Sequence, residues 1–286
     1  MLAMAAVAAG LVLADPMGVR SRSGEEAAGW RSDAAEEDLA PSEDRPEPST
    51  ASTTTTTTSP PTTTTTPPAR LAPAPTPPEV PGPHAFIGSE ADGDPVAWDP
   101  CETITYVVNP RRAPPGAAEI LAEAIAAVTE ATGLVFEDRG ATDEPPADVE
   151  RPLRDEARYG DEWSPVLISW TDPEEWPRLT EEEAIGFAGP DWVSTGGGEM
   201  EAVTGSVQLD GAWSAQAIEA GYRSDVVHLV MHELGHLVGL DHVDGPDGMG
   251  EVMYGGDDAP AWPTQWGPGD RTGLAAVGSG DCDPDV

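Results

Sequence analysis

Three histidines and one glutamate stand within the eleven residues HELGHLVGLDH, His232 to His242, of a 286-residue chain that holds only five histidines. Residues four apart on an α-helix are separated by about 6 Å of rise and about 40° of rotation. His232 and His236 therefore face the same way and can reach one cation. His242 lies six positions further on, where a continuing helix would carry it about 9 Å along the axis and turn it about 240° from His236. Gly239 stands between them, and glycine tolerates the positive φ that ends a helix and turns the chain back. With the chain bent there, the third imidazole reaches the same cation. Three neutral imidazoles leave a fourth tetrahedral position open, the pattern of a catalytic rather than a closed structural zinc site, and neither cysteine is near enough in sequence to close it. Zinc in such a site lowers the pKa of water to about 7 and polarises a carbonyl. Glu233, next to the first histidine, is then placed to take a proton from that water and pass it to a leaving amine.

The elements that must position these residues are legible around them. Ser224 reads as an N-cap, Asp225 suits the positive end of a helix, and the run that follows is helical in spacing and apolar on most sides. Such a helix belongs inside a domain. "TITYVVNP" (103–110) alternates as a strand ended by Pro110, and Ile120, Leu121, Ala124, Ile125 and Val128 recur at helical spacing up to Gly133. "LVFE" (134–137) then completes a strand-helix-strand crossover onto a parallel pair. "PVLISW" (165–170) reads as a central buried strand. Residues 171–203 show no clear periodicity and read as a long surface loop, "GSVQLD" (205–210) as an edge strand, and "DRTGLAAVG" (270–278) as a capped C-terminal helix. The fold class is α+β or α/β.

H-E-x-x-H-x-x-G-x-x-H followed by a methionine turn resembles the metzincin metalloproteases, and "EVMYGG" places Met253 eleven residues beyond His242. The Met-Tyr pair, and the stretch from "DPVAWDPCETITYVVNP" onward, are similar to the matrixin-like branch of secreted actinobacterial type over nearly all of residues 84–286. The resemblance implies a twisted, mixed, mostly parallel sheet with a crossover helix, an active-site helix and a C-terminal helix. It also implies one zinc held by His232, His236 and His242, Glu233 as general base, and Met253 as a hydrophobic floor. An edge strand, here Val207, Gln208 and Leu209, would bind an extended protein or peptide substrate by strand addition. Beyond the triad only His84 and His228 remain, so a second, structural zinc is not expected. Residues 15–83 hold no cysteine that could cap the metal. Gly255 stands where the astacin-like branch places a tyrosine.

Composition bounds the rest. The fourteen-residue apolar run 1–14 suits a secretory leader cleaved after Ala14, the alternative being a buried helix start or an uncleaved anchor, and it is short for a bilayer span of about 20 residues. Residues 15–83 are rich in Pro and Thr, with runs at Thr53 to Thr58 and Thr62 to Thr66, and read as a solvated spacer able to carry O-linked sugar. The foldable domain is 84–286. Net charge is −38, and every one of the 14 basic residues is arginine; such a chain repels nucleic acid and anionic membranes. Cys101 and Cys282 bracket the domain, which predicts one disulfide, with two unpaired buried thiols as the alternative. Asp92, Asp94, Asp244 and Asp247 are candidates for Ca2+ loops, against solvated turns. The expected molecule is a secreted or cell-surface monomer, not inserted in the membrane once mature, acting as a zinc endopeptidase. Two other readings stay open: a zinc-stabilised, non-catalytic binding module, and an amide hydrolase acting on cell-wall peptides.

Overall fold

In the computed structural model, residues 69–146, 151–195, 198–256 and 261–283 are described, and the leader and most of the Pro/Thr spacer lie outside them. The strands are β1 (Ala85–Phe86), β2 (Ala97–Trp98), β3 (Thr103–Asn109), β4 (Val135–Ala141), β5 (Val166–Thr171), β6 (Gly186–Ser194), β7 (Met200–Asp210) and β8 (Leu240–Asp241). The helices are α1 (Ala117–Thr132), α2 (Glu156–Tyr159), α3 (Arg178–Glu181), α4 (Gly211–Glu219), α5 (Arg223–Leu237) and α6 (Pro268–Val277).

The class is mixed α/β with a mostly parallel central sheet. β3 pairs in parallel with both β4 and β5, β5 pairs in parallel with β7, and β2 pairs in parallel with the start of β7. In this sheet, among the described residues, only β6 runs antiparallel, along the other side of β7. The β3-α1-β4 crossover follows from the sequence: α1 turns Ile120, Leu121, Ala124 and Val128 into the core, and Gly133, at φ 72°, ends it where any other residue would be strained. β5, in the middle of the sheet, is buried along its whole length. α5 lies against β6, β7, α1 and α4, and Leu229, Leu234 and Leu237 on it are fully enclosed.

Two expectations for the middle of the chain are corrected. Residues 171–203 are not one loop: they hold α3 and β6. Gly186, Gly189 and Pro190 break the alternation that marks a strand, and proline is tolerated at a sheet edge because one side of that strand needs no donor. Beneath this segment Trp176, Leu179, Ala184 and Phe187 form a small apolar cluster of their own. Nor is 205–210 an edge. Val207, Gln208 and Leu209 lie inside the sheet between β5 and β6, with Val207 and Leu209 fully buried, so their backbones are already paired on both sides. β6 is the edge.

The folded region also begins before residue 84. The Arg70 guanidinium donates to the carbonyls of Gly278 and Gly280, and Leu71 N–H donates to Pro100 O at 3.1 Å. Gly82 N–H reaches Thr272 Oγ1 at 3.2 Å, so the foot of the spacer is strapped across α6. Cys101 and Cys282 form a disulfide with Cα atoms 5.5 Å apart, tying the entry to β3 to the C-terminal segment, 181 residues later. Among the described residues no helix is long and apolar enough to cross a membrane.

Candidate metal centre

α5 presents His232 and His236 on one face, one turn apart. It stops at Leu237, Val238 caps it, and Gly239 at φ 111° turns the chain into β8 and then His242. The turn brings the three ring nitrogens together. His232 Nε2 lies 3.0 Å from His242 Nε2 and 3.1 Å from His236 Nε2, and the last pair is also 3.1 Å apart.

The far sides of two of these rings fix their protonation. His232 Nδ1 is 2.7 Å from Val252 O, and His236 Nδ1 is 2.8 Å from Leu240 O. A carbonyl oxygen only accepts, so each Nδ1 carries the hydrogen and each Nε2 of the neutral ring carries a lone pair. Burial keeps the rings neutral: it lowers the His232 pKa well below the imidazole range and brings His236 down to about 3, with neighbouring imidazoles adding to both. The His232 and His236 lone pairs, 3.1 Å apart, repel one another unless a cation, or a hydrogen carried on His242 Nε2, lies between them. Tetrahedral coordination at about 2.0–2.1 Å holds neighbouring nitrogens about 3.3 Å apart, close to the triangle here. The donor set therefore fits a zinc-like ion.

Around the triad, Glu233 is buried, and its Oε2 accepts no hydrogen bond among the described residues. Desolvation raises its pKa well above the ordinary carboxyl range; a nearby positive charge favours the ionised form. Met253 is buried against Gly235, where a β-carbon would overlap its sulfur. A glycine inside a helix costs about 1 kcal/mol relative to alanine, and this contact explains its presence between the two histidines. His242 is half-buried, and its ring packs on the α-carbon of Gly255.

Other candidates fall elsewhere. His228 is a buried helix residue with Nδ1 2.7 Å from Pro263 O. His84 is exposed. Asp94 N–H donates to Asp92 Oδ1 at 3.3 Å in a turn. Among the described residues, Asp92, Asp94, Asp244 and Asp247 join no group of three convergent metal-ligating atoms. Asp99, Cys101 and Cys282 do converge, but both sulfurs are in the disulfide and offer no thiolate.

Three contributors escaped the sequence reading. Asp270 is buried and accepts from Val252 N–H at 2.6 Å, Met253 N–H at 3.1 Å and Gly267 N–H at 2.9 Å, so α6 holds the turn that carries Met253. Glu251 accepts from Asp270 N–H at 2.9 Å. Gly186, at the start of β6, lies directly against the Glu233 carboxylate. An acid two residues after a Pro-Gly helix start was the available signal for Asp270; its partners sit 17 and 18 positions away and gave none.

No family model and no curated protein sequence matches the chain.

Proposed function

We propose that the chain is a secreted zinc-dependent endopeptidase of the metzincin class, matrixin-like in its ligand spacing, spaced from its attachment by the Pro/Thr segment. The observation that carries this reading is the triangle of three imidazole nitrogens 3.0 to 3.1 Å apart, with the Glu233 carboxylate on the same helix turn. His232, His236 and His242 would hold the ion. Bound there, zinc supplies a Lewis acid that activates water near neutral pH and polarises a carbonyl.

The protein's own residues do the rest. Glu233 takes a proton as the water oxygen bonds to the substrate carbonyl carbon, then gives that proton to the amine nitrogen as the C–N bond breaks. β6 supplies the docking edge. Asp210 N–H donates to Ile185 O at 2.8 Å, and antiparallel pairing alternates, so Gly186, Ala188 and Pro190 turn their backbone groups outward. An extended peptide laid there pairs with Gly186 and Ala188, next to Glu233, and nothing is asked of Pro190, which has no N–H to give.

The test is cleavage of an unstructured protein by the purified chain. Activity should vanish with a chelator and return with Zn2+, and Glu233→Gln should keep zinc while losing about 10²- to 10⁴-fold in rate. Equal activity in that variant overturns the assignment of the base. One zinc per chain with no turnover in the unaltered protein favours the non-catalytic binding module, and turnover confined to wall-type peptides favours the amide hydrolase.

A further inference from the structure

β1 contains two residues, and on its face is a minor ornament at the end of a Pro-rich strap. Its partner makes it more than that. Ala85 pairs with Asp241 and Phe86 with Leu240, and Ile87 N–H donates to Gly239 O at 3.0 Å. With the cap residue Val238, these three partners are the whole connection between α5 and His242.

In an antiparallel pair, successive residues present their N–H and C=O to alternate sides. The Gly239 carbonyl is held by Ile87, so the Leu240 carbonyl points away from β1. There it accepts from His236 Nδ1 at 2.8 Å. β1 thus fixes the acceptor that orients the second imidazole. It also fixes Asp241, whose Oδ1 accepts from the His242 N–H at 2.7 Å, at the point where the third ligand leaves the pair. From the other end, Val243 N–H donates to Met253 O at 2.9 Å, so His242 is clamped on both sides of its own Cα. β1 is anchored in turn: Phe86 packs against the main core, Gly88 O accepts from Val96 N–H at 3.0 Å, and Gly82 and Pro83 lie against Gly269 of α6.

We propose that residues 85–87, at the foot of the Pro/Thr spacer, are a positioning element of the metal centre, holding the 239–241 turn so that His236 and His242 converge with His232. The inference rests on the three histidines being a zinc site. Groups behind first ligands typically change metal affinity by about 10- to 100-fold when they are lost.

Ile87→Pro removes the N–H that holds Gly239, together with the half-buried Ile87 side chain, and Ile87→Val keeps that N–H. Each full-length chain is titrated with Zn2+ against a chromophoric chelator, and with Co2+ for its visible absorption. The expected result is a tenfold or greater weakening in Ile87→Pro, with the fold retained by circular dichroism, and unchanged affinity in Ile87→Val. Stoichiometric zinc in the unaltered chain with equal affinity in both variants overturns the proposal and leaves the zinc site standing. No zinc in the unaltered chain removes the underlying reading instead.

Should Ile87→Pro fail to fold, the unaltered chain decides. Coupling is reciprocal, so Zn2+ must slow hydrogen exchange at the Ile87 and Asp241 amides at least tenfold while leaving Leu71 as it was. No change at Ile87 overturns the proposal.

Discussion

Gly186 and Glu233 touch: the α-carbon at the start of β6 sits where a β-carbon would overlap the Glu233 carboxylate. A strand edge and a helix otherwise separated by side chains are in direct contact at a residue that has none. Gly186→Ala must therefore displace the carboxylate. The expected outcome is a fall in kcat of about 10²-fold or more, the range of a lost general base, with zinc stoichiometry unchanged. Atomic absorption alongside single-turnover kinetics checks it. A variant with full kcat would mean that Glu233 moves aside without consequence, which a proton-transfer role does not allow.

The Met253 turn depends on α6. Three backbone N–H groups converge on Asp270, and two of them belong to the turn itself. Asp270→Ala leaves two buried donors and one part-buried donor without their acceptor, at about 1–3 kcal/mol for each unsatisfied buried group. A loss of at least about 3 kcal/mol is expected in chemical denaturation. Asp270→Asn keeps one oxygen acceptor and should fall between the two. Because Val252 also supplies the carbonyl for His232 Nδ1, zinc affinity should fall in the same order as stability.

How much of this was legible in the sequence follows from the range of the interactions involved. The triad, the helix under it and the glycine that ends it are local, written within eleven residues by helical geometry. The β3-α1-β4 crossover is nearly as local, and its apolar spacing survives intact. β6 was hidden because an edge strand is paired on one side only, and its glycines and proline, tolerable for that reason, erase the period-two signal. β7 was misplaced for the complementary reason: "GSVQLD" alternates enough to suggest a half-exposed strand, yet Ser206 and Gln208 are paired with β5 on one side and β6 on the other. β1 and Asp270 act through partners more than fifteen residues away, and no local pattern announces that.

Reduction gives a separate test of the frame. A bridge closing a loop of 181 residues is worth about 5 kcal/mol in the chain-entropy model, less whatever structure the reduced denatured chain keeps. Cys101→Ser with Cys282→Ser should lower the thermal midpoint by several degrees or more. The double variant should still bind zinc, since neither sulfur approaches the triad. Loss of zinc with the fold intact would show that the C-terminal tie reaches further than its contacts indicate.

Glu201, at the start of β7, is buried beside Asp99, Glu102 and Asp283, and its pKa is pushed up to about 8, by desolvation first and by those three carboxylates next. In the unfolded chain it titrates near 4.5. Between these values the folded state binds the extra proton, so stability falls as pH rises through this window. Below pH 4.5 the group is protonated in both states and costs nothing; above pH 8 the full penalty applies. Glu201→Gln is neutral throughout. Its thermal midpoint should match that of the unaltered chain near pH 4.5 and exceed it by about 4 °C or more at pH 8.5, given that about 1 kcal/mol moves a domain of this size by about 2–4 °C. A gap that does not widen between those two pH values would mean that the carboxylate is neutralised by something other than its own proton.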